Sequence, residues 1–405
     1  MASVTVPGTG HSTIALSFDS AANAAVAKQI AGEIAAAVQA GSMIPADNSF
    51  GPPPTLPAGV QGEFIQSLPG VTFLPNAYTA VVNDATSAVV FGSSLPDQRV
   101  LSGDGTNLTY FAAGGSGSVA AGGGDNMISI PSTDPGNWLV VTGNGNDTIR
   151  ALGGGNDTIS PGGGSNAIQL GSGNSYLGVS GADTILASTG SETVAAADPG
   201  ANTIIYSNAS TLFFMAGAGA TVYGGTGSNT VLGGTGSTLA FGGSAGNNFL
   251  QGGSGPSTLF GAANGDQLFA GGSGPQALHA GAGNETLFGG FGDNETLYGG
   301  SGSVQIFTGG GHDTVVAGSG AATVTAGGDN TLFQFIEGAA GGTDLVTGFT
   351  DASQVHIDLA GYGPNEAQKA VAGQVNSPSG VTITLSDSTT ITFQNISKLT
   401  TDNFS

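Results

Sequence analysis

The chain has 405 residues, of which 74 are glycine, and it carries 27 acidic residues against five basic ones, for a net charge of −22. Such a charge repels phosphate backbones and anionic lipid, so it argues against nucleic-acid and membrane-surface binding and favours cation binding. The chain has no cysteine, which excludes disulfides and thiolate metal sites, and no apolar run long enough to span a membrane.

Residues 1–44 are predicted to form an N-terminal arm and a helix. The first 18 residues are apolar and rich in Thr and Ser, which favours one strand or an extended arm. Asp19 and Ser20 can cap a helix that continues to about Ala40. A narrow apolar stripe along this helix indicates packing on the end of the fold, or docking on another subunit. The stripe consists of Val26, Ile30, Ile34 and Val38.

Residues 45–98 are predicted to be a Pro-rich linker followed by capping strands. Five prolines fall within 45–57, and closely spaced prolines make a stiff, extended segment. The stretch TAVVNDATSAVVFG (79–92) alternates enough for two strands, which would pair with each other or cover the first coil of the next segment.

Residues 99–340 restate a Gly-rich pattern every nine or ten residues, most plainly in TVYGGTGSNTVLGGTGSTLAFGG (221–243). A fixed period of this kind indicates a repeat architecture. Gly-rich halves favour tight turns and the aliphatic halves favour strands, so two units make one coil of roughly 18 to 19 residues. The middle residue of each strand is expected to point inward. These inward residues are Ile149, Ile159, Ile168, Leu177, Ile185, Val194, Ile204, Phe213, Val222, Val231, Ala240, Leu250, Leu259, Leu268, Leu278, Leu287, Leu297, Ile306, Val315 and Val324.

The predicted fold is therefore all-β: a right-handed parallel β-roll or β-helix solenoid with an N-terminal helix and a C-terminal β cap. The alternative, a disordered Gly-rich linker, fits poorly because the aliphatic residues recur in phase. Residues 341–405 supply the cap, with a helix-compatible stretch at 363–375 and alternating strands at 381–387 and 389–396. Such a cap covers an open edge that would otherwise template aggregation.

Three stretches, GNGNDTIRA (143–151), GGGNDTISP (153–161) and GGGHDTVVA (309–317), resemble the nonapeptide repeat of RTX proteins. The tail, with TDLVTGFTDASQVHIDL (343–359) and a final TTITFQNISKLTTDNFS, is similar to the C-termini of RTX proteins exported by type I secretion. The resemblance implies an uncleaved C-terminal signal within 341–405. It also implies a location outside, or on the surface of, a Gram-negative bacterium. The N-terminus lacks the pattern of a cleavable signal peptide, which agrees with such a route.

The same resemblance implies that sixth-position acids one coil apart share Ca²⁺, with turn carbonyls completing the shell. Two acid pairs have that spacing, Asp266 with Glu285 and Glu295 with Asp313. Single acids face Asn or Ser at Asp147, Asp157 and Asp183. Because calcium affinity rises with the number of carboxylates, we expect few calcium sites, with Asn, Ser and Thr stacked as hydrogen-bonding ladders elsewhere. The alternative for these acids is solvation at the surface.

An aromatic residue often follows the inward one, and alternation places it on the outside. One row comprises Tyr223, Phe241, Phe260, His279 and Tyr298, and the opposite row comprises Phe269, Phe288 and Phe307 with Phe214 further back. Such rows predict an interaction surface, rings that stabilise the ladder themselves, or rings that a terminal segment covers.

Three functions compete. The first is a structural protein that self-associates into a filament, a sheet or a biofilm matrix. The second is a surface adhesin that binds polysaccharide through the aromatic rows. The third, an enzyme, is disfavoured because the four histidines form no zinc or metalloprotease pattern and no nucleophile-elbow motif occurs.

Overall fold

The structure is a computed structural model that describes residues 2–405, apart from 197, 199, 201, 293 and 328–330 and the side chains of 50, 174 and 176. Its chain divides into two compact units, residues 1–210 and residues 211–405. Each unit is a parallel β-solenoid, so the predicted all-β solenoid is confirmed, together with its N-terminal helix. The hand of the coil stays a prediction.

Over its described residues, the first unit contains one α-helix, two 3₁₀ turns (Thr9–His11 and Asn48–Phe50) and nineteen strands. In chain order these are β1 Ala2–Pro7, β2 Thr13–Phe18, α1 Ala21–Gln39, β3 Met43–Asp47, β4 Gln61–Gln66, β5 Gly70–Phe73, β6 Tyr78–Asn83, β7 Ser87–Phe91, β8 Gln98–Ser102, β9 Asn107–Phe111, β10 Gly117–Ala121, β11 Met127–Ile130, β12 Trp138–Val141, β13 Thr148–Ala151, β14 Asp157–Ser160, β15 Ala167–Leu170, β16 Asn174–Val179, β17 Thr184–Ala187, β18 Ser191–Ala196 and β19 Asn202–Ser207.

From β4 onward, successive strands of the first unit alternate between two parallel sheets. The first sheet runs β3-β4-β6-β8-β10-β12-β14-β16-β18, and the second runs β5-β7-β9-β11-β13-β15-β17-β19. Coils thus begin at β3, which spans the boundary between the predicted arm and helix (1–44) and the predicted linker and capping strands (45–98). Inward apolar residues of the even-numbered strands, such as Phe64, Val81 and Val100, stack in register here without the Gly-rich turns of the later repeats.

The N-terminal arm and helix pack on the flank of the first sheet rather than on its end. β1 and β2 form an antiparallel hairpin, and Ser20 caps α1 by accepting a hydrogen bond from the backbone N–H of Asn23 at 3.0 Å. Ile30 and Ile34 are buried, whereas Val26 and Val38 are only partly buried. They pack against outward side chains of the sheet, among them Ile65, Ala80, Val82, Leu101 and Ala120.

The second unit contains β20 Thr211–Met215, β21 Gly219–Tyr223, β22 Ser228–Leu232, β23 Thr238–Phe241, β24 Phe249–Gln251, β25 Ser257–Phe260, β26 Gln267–Phe269, β27 Gln276–His279, β28 Glu285–Phe288, β29 Thr296–Tyr298, β30 Val304–Phe307, β31 Thr314–Val316, β32 Ala322–Thr325, β33 Leu332–Ile336, β34 Thr343–Thr347, β35 His356–Ala360, α2 Glu366–Ala372, β36 Val375–Ser377, β37 Gly380–Thr384 and β38 Thr390–Gln394. Two 3₁₀ turns, Ala352–Gln354 and Thr401–Asn403, complete it.

Even-numbered strands of this unit, from β20 to β34, form one parallel sheet, and odd-numbered strands from β21 to β35 form the other. Leu259, Leu278 and Leu297 pair in register and are fully buried, as the repeat predicts. Successive turns approach so closely that a Cβ at Gly253 would overlap the carbonyl oxygen of Gly234, and this is why the turns need glycine. The predicted cap is present: β38 pairs with β34, and β37 and β36 follow antiparallel.

Two of the twenty predicted inward residues were assigned wrongly. Ile204 and Phe213 are 36% and 42% exposed, whereas Ile205 and Phe214 are fully buried. The reason is a change of step, because Ile205 follows Val194 by eleven residues and so breaks the nine-to-ten-residue period. Since side chains alternate across a strand, a shift of one residue exchanges the inside for the outside.

Candidate calcium turns and aromatic ladders

The sixth residue of each repeat lies two positions before the inward aliphatic residue, so alternation turns both side chains into the coil. All seven predicted metal-site acids are accordingly buried, each at most 4% exposed: Asp147, Asp157, Asp183, Asp266, Glu285, Glu295 and Asp313. The alternative that they are solvated at the surface is therefore wrong. Buried carboxylates need a counter-charge, hydrogen-bond donors or a proton.

In the first unit, aspartates and asparagines alternate down one turn stack. The Oδ1 atom of Asp147 accepts from the backbone N–H and the Nδ2 atom of Asn126 at 2.8 and 3.0 Å. Asp183 accepts in the same way from Asn166 at 3.1 and 2.7 Å, and the Asp147 N–H donates to Asn166 Oδ1 at 2.9 Å. The Oδ2 atoms of both aspartates are buried without a hydrogen-bond partner. Each aspartate thus keeps one oxygen for a further ligand.

The opposite turn stack of the first unit contains Asp157, Ser175 and Glu192 in register. Asp157 Oδ1 accepts from the backbone N–H of Trp138 at 2.9 Å, and the indole Nε1 of Trp138 donates to Asp134 Oδ2 at 2.9 Å. The lone tryptophan, which is 2% exposed, therefore packs inside the coil near the start of the regular repeats.

In the second unit, the first acid pair is unequal. Asp266 accepts four hydrogen bonds, from both nitrogens of Asn248 and from the backbone N–H groups of Ala262 and Ala263, at 2.8 to 3.1 Å. Glu285, one coil later, accepts from the N–H of Gly281 at 2.9 Å through Oε2, while its Oε1 has no partner. Glu285 is thus the member of this pair that retains a free oxygen.

The second acid pair joins Glu295 and Asp313, which immediately precede the paired residues Thr296 and Thr314 of β29 and β31. The backbone N–H of Glu295 donates to Asp313 Oδ1 at 3.3 Å, and neither carboxylate oxygen of Glu295 has a hydrogen-bond partner among the described residues. Asp344, on β34, also keeps a buried oxygen without a partner. Within the described part of the chain, no three His, Cys, Asp or Glu side chains cluster as a metal site would require. A calcium shell of six to eight oxygens here would need turn carbonyls or water beside the carboxylates.

Burial raises the pKa of these acids. The pKa of Asp147 and Asp157 rises to about 6, and that of Glu192, Glu285 and Asp344 to about 7, in each case mainly because burial removes the carboxylate from water. The pKa of Asp183 is raised for the same reason. A bound cation would reverse this effect by stabilising the charged form.

The predicted outer aromatic rows exist as stacked ladders in the second unit. In one row, Tyr223, Phe241, Phe260, His279 and Tyr298 stack with ring centroids 4.0 to 5.4 Å apart and planes within 15°. In the other, Phe269, Phe288 and Phe307 stack at 4.4 and 5.1 Å. Phe214 does not belong to this row, because it is buried. Each inner ring has both faces covered by neighbouring rings, so the rows present ring edges to solvent.

Several features escaped the sequence reasoning. Phe73, Phe91 and Phe111 form a third stacked ladder, in the first unit, at 4.4 and 4.8 Å; their spacings of 18 and 20 residues are the signal that could have revealed it. Phe291 is 99% exposed in a turn of the second unit. Glu63 is fully buried in the first unit, and neither carboxylate oxygen has a partner.

Four stretches of the chain match the RTX calcium-binding nonapeptide repeat. They cover residues 141–177, 242–274, 264–295 and 290–324. The predicted RTX resemblance is thus confirmed, and it supports calcium binding. The matches include six of the seven predicted metal-site acids and leave Asp183 outside. RTX repeats are characteristic of secreted proteins.

No curated protein matches the chain. Among the helices that the structure describes, none has the length and apolar character needed to cross a membrane.

Proposed function

We propose that the chain is a secreted structural protein of a Gram-negative bacterium. Its solenoid units would be stiffened by calcium, and the protein would self-associate into a filament, a sheet or a biofilm matrix. Residues 341–405, which fold as a β cap, would carry the export signal. The match to RTX repeats supports secretion and calcium binding, and the self-association rests on the surface of the first unit.

The observation that carries self-association is the edge of β5. Among the residues that the structure describes, this strand ends the second sheet of the first unit and pairs on one side only, with β7. The backbone N–H of Leu74, the residue after β5, donates to the carbonyl oxygen of Phe91 on β7. Because backbone groups of successive residues in a strand point to opposite sides, those of Val71 and Phe73 point away from β7. Val71 and Phe73 are 62% and 68% exposed, and nearby Leu68 is 52% exposed. An exposed apolar edge strand is a template on which a strand of another chain can pair.

A second copy is the proposed occupant. In the second unit, β36 also ends its sheet, with all three residues exposed and Val375 66% exposed. Two different free edges on one chain favour a head-to-tail contact, which extends into a filament when it does not close.

Sedimentation velocity and electron microscopy of the full chain with calcium test this proposal. We expect concentration-dependent growth for the native chain and its loss in Phe73→Lys. Leu186→Lys is the matched control, because Leu186 is 41% exposed on an interior strand of the same sheet. A chain that stays monomeric, or equal assembly of both variants, would refute the role of β5.

The predicted calcium ligands are part of this proposal. Free buried oxygens make Asp147, Asp183, Glu285 and Glu295 the first candidates, with Asp157, Asp266 and Asp313 completing the turns in which they lie. Calcium would supply the positive charge that these buried carboxylates lack. Circular dichroism melts with calcium and with chelator should show a higher melting temperature in calcium, and equal melts would count against calcium binding.

Polysaccharide binding through the aromatic rows has less support. Sugar rings stack on free aromatic faces, and the faces of Phe260 are covered by Phe241 and His279. Adsorption to insoluble polysaccharide that is lost in Phe260→Ala with Tyr298→Ala would revive it. A catalytic role has no support from the histidines. His279 lies in the ladder, while His11 and His356 lie in different units, in a 3₁₀ turn and in β35.

A further inference from the structure

Gln276 occupies the sixth position of a repeat within 264–295, a stretch that matches the RTX calcium-binding nonapeptide repeat, yet its side chain is an amide that donates hydrogen bonds. It is 2% exposed on β27, in register with Ser257 one coil earlier and one coil before Glu295. Its Nε2 atom donates to the carbonyl oxygens of Gly274 and Gly255 at 2.9 and 3.0 Å, with Gly253 at 3.5 Å.

These three carbonyl oxygens belong to two successive turns. Gly274 lies in the repeat of Gln276 itself, and Gly253 and Gly255 lie in the repeat one coil earlier. Carbonyl oxygens converging from two turns are the kind of shell that calcium takes in proteins. Here the shell surrounds an amide nitrogen, which also bears partial positive charge but cannot share its place with an ion. The residues at this turn therefore do not fit calcium.

The orientation of the amide is set by the carbonyls. Exchanging the two amide atoms would place Oε1 against three carbonyl oxygens, and an oxygen has no hydrogen to offer them. In the observed orientation Oε1 lies beside Gly252 without a hydrogen-bond partner. This orientation lets the amide nitrogen donate its hydrogen bonds and leaves the amide oxygen without one.

The same arrangement recurs in the first unit, in a different local sequence. Asn126 Nδ2 donates to the carbonyl oxygens of Gly122 and Gly124 at 3.1 and 2.8 Å, within its own turn. Gln276 has one more methylene than asparagine, and its amide reaches the neighbouring turn as well. Asn126 is joined to the next coil through the carboxylate of Asp147, whereas Gln276 alone of these two binds carbonyl oxygens of two successive turns.

We propose that the Gln276 carboxamide takes the place of a bridging calcium ion, so that this turn stack is held together without metal. Its neighbours with free carboxylate oxygens, such as Glu295, depend on calcium. The chain thus combines metal-dependent coils with a coil that stays closed when calcium is absent.

Three variants of the full chain test this proposal, with calcium stoichiometry measured by equilibrium dialysis and melting followed with calcium and with chelator. In Gln276→Glu, a carboxylate of the same shape faces the carbonyls. We expect one additional bound calcium ion, a melting temperature lowered by on the order of 5 °C in chelator, and recovery in calcium. In Gln276→Met, which loses the donor without gaining charge, we expect a similar loss that calcium does not reverse.

Gln251→Glu is the matched control, because Gln251 is exposed on β24 and should leave both stoichiometry and melting unchanged. Folding of Gln276→Glu only in the presence of calcium supports the proposal. It is overturned if Gln276→Glu binds no additional ion or fails to fold with calcium present, or if Gln276→Met melts like the native chain.

Discussion

Glu63 provides a pH-dependent test of how the N-terminal helix is held. It lies on β4 opposite Pro45 and Ala80, on the outer face where Ile65 packs in the cluster with α1. Lys28 on α1 is exposed, and Glu33 is paired with Arg99 at 2.9 Å. Within the described part of the chain, no hydrogen-bond partner or opposite charge reaches the Glu63 carboxylate, and burial raises its pKa from 4.5 to about 8.

The sign of the effect follows from proton linkage. Between pH 4.5 and about 8 the unfolded chain has lost the Glu63 proton, whereas the folded chain keeps it. The folded state then binds more protons, so the free energy of unfolding falls as pH rises through this window and levels off above it. Each tenfold difference in proton affinity is worth 1.36 kcal/mol, which gives a total on the order of 5 kcal/mol.

Hydrogen exchange of the amides in α1, corrected for intrinsic rates, measures this effect locally between pH 5 and pH 9. We expect protection to fall with rising pH in the native chain and to stay level in Glu63→Gln. Exposed Glu337 lies in the second unit, so Glu337→Gln should retain the native pH dependence. A native profile that is flat, or one that Glu63→Gln leaves unchanged, would refute the assignment of the group.

Two further predictions concern the second unit. Phe260→Ala removes ring contacts at 4.7 and 4.4 Å and should lower the free energy of unfolding by about 2–4 kcal/mol, whereas Phe291→Ala, at a ring that is 99% exposed, should change it by less than about 0.5 kcal/mol in a denaturant titration. Glu295→Gln should bind one calcium ion fewer and melt higher than the native chain in chelator, because it removes a buried charge without a partner; Glu337→Gln should do neither.

The coil could be predicted because its cause is local and repeated. A glycine is needed wherever one turn crosses the next, and an aliphatic residue is needed wherever the strand faces the core, so the requirement is written into the chain once per turn. Eighteen of the twenty predicted inward residues are buried for this reason. The two aromatic rows of the second unit could be predicted from the same alternation, which places the residue after each inward one on the outside of the coil.

The chemistry of the sixth position was less predictable. The sequence shows that Asp266 and Glu285 are both acids, but not that Asp266 is saturated by four donors while Glu285 keeps a free oxygen. That difference depends on backbone N–H groups in the turn. Likewise, nothing in the letters of GGSGPQALH tells that Gln276 reaches a neighbouring turn. The position of α1 on the flank of the sheet depends on which outward side chains of the sheet are apolar. The period of the inward residues gives no information about these outward side chains.

The change of step at β19 gives a prediction in which the repeat and the structure disagree. The regular period places Ile204 inside, whereas the structure places Ile205 there, in register with fully buried Ile185, and leaves Ile204 36% exposed. Because both are isoleucines on one strand, the same truncation compares the two sides directly. Ile205→Ala should cost about 2–5 kcal/mol through the cavity it leaves, and Ile204→Ala about 1 kcal/mol or less. Denaturant titration of both variants decides between the two phases, since a larger loss at Ile204 would restore the regular period and move every side chain of β19 to the opposite face.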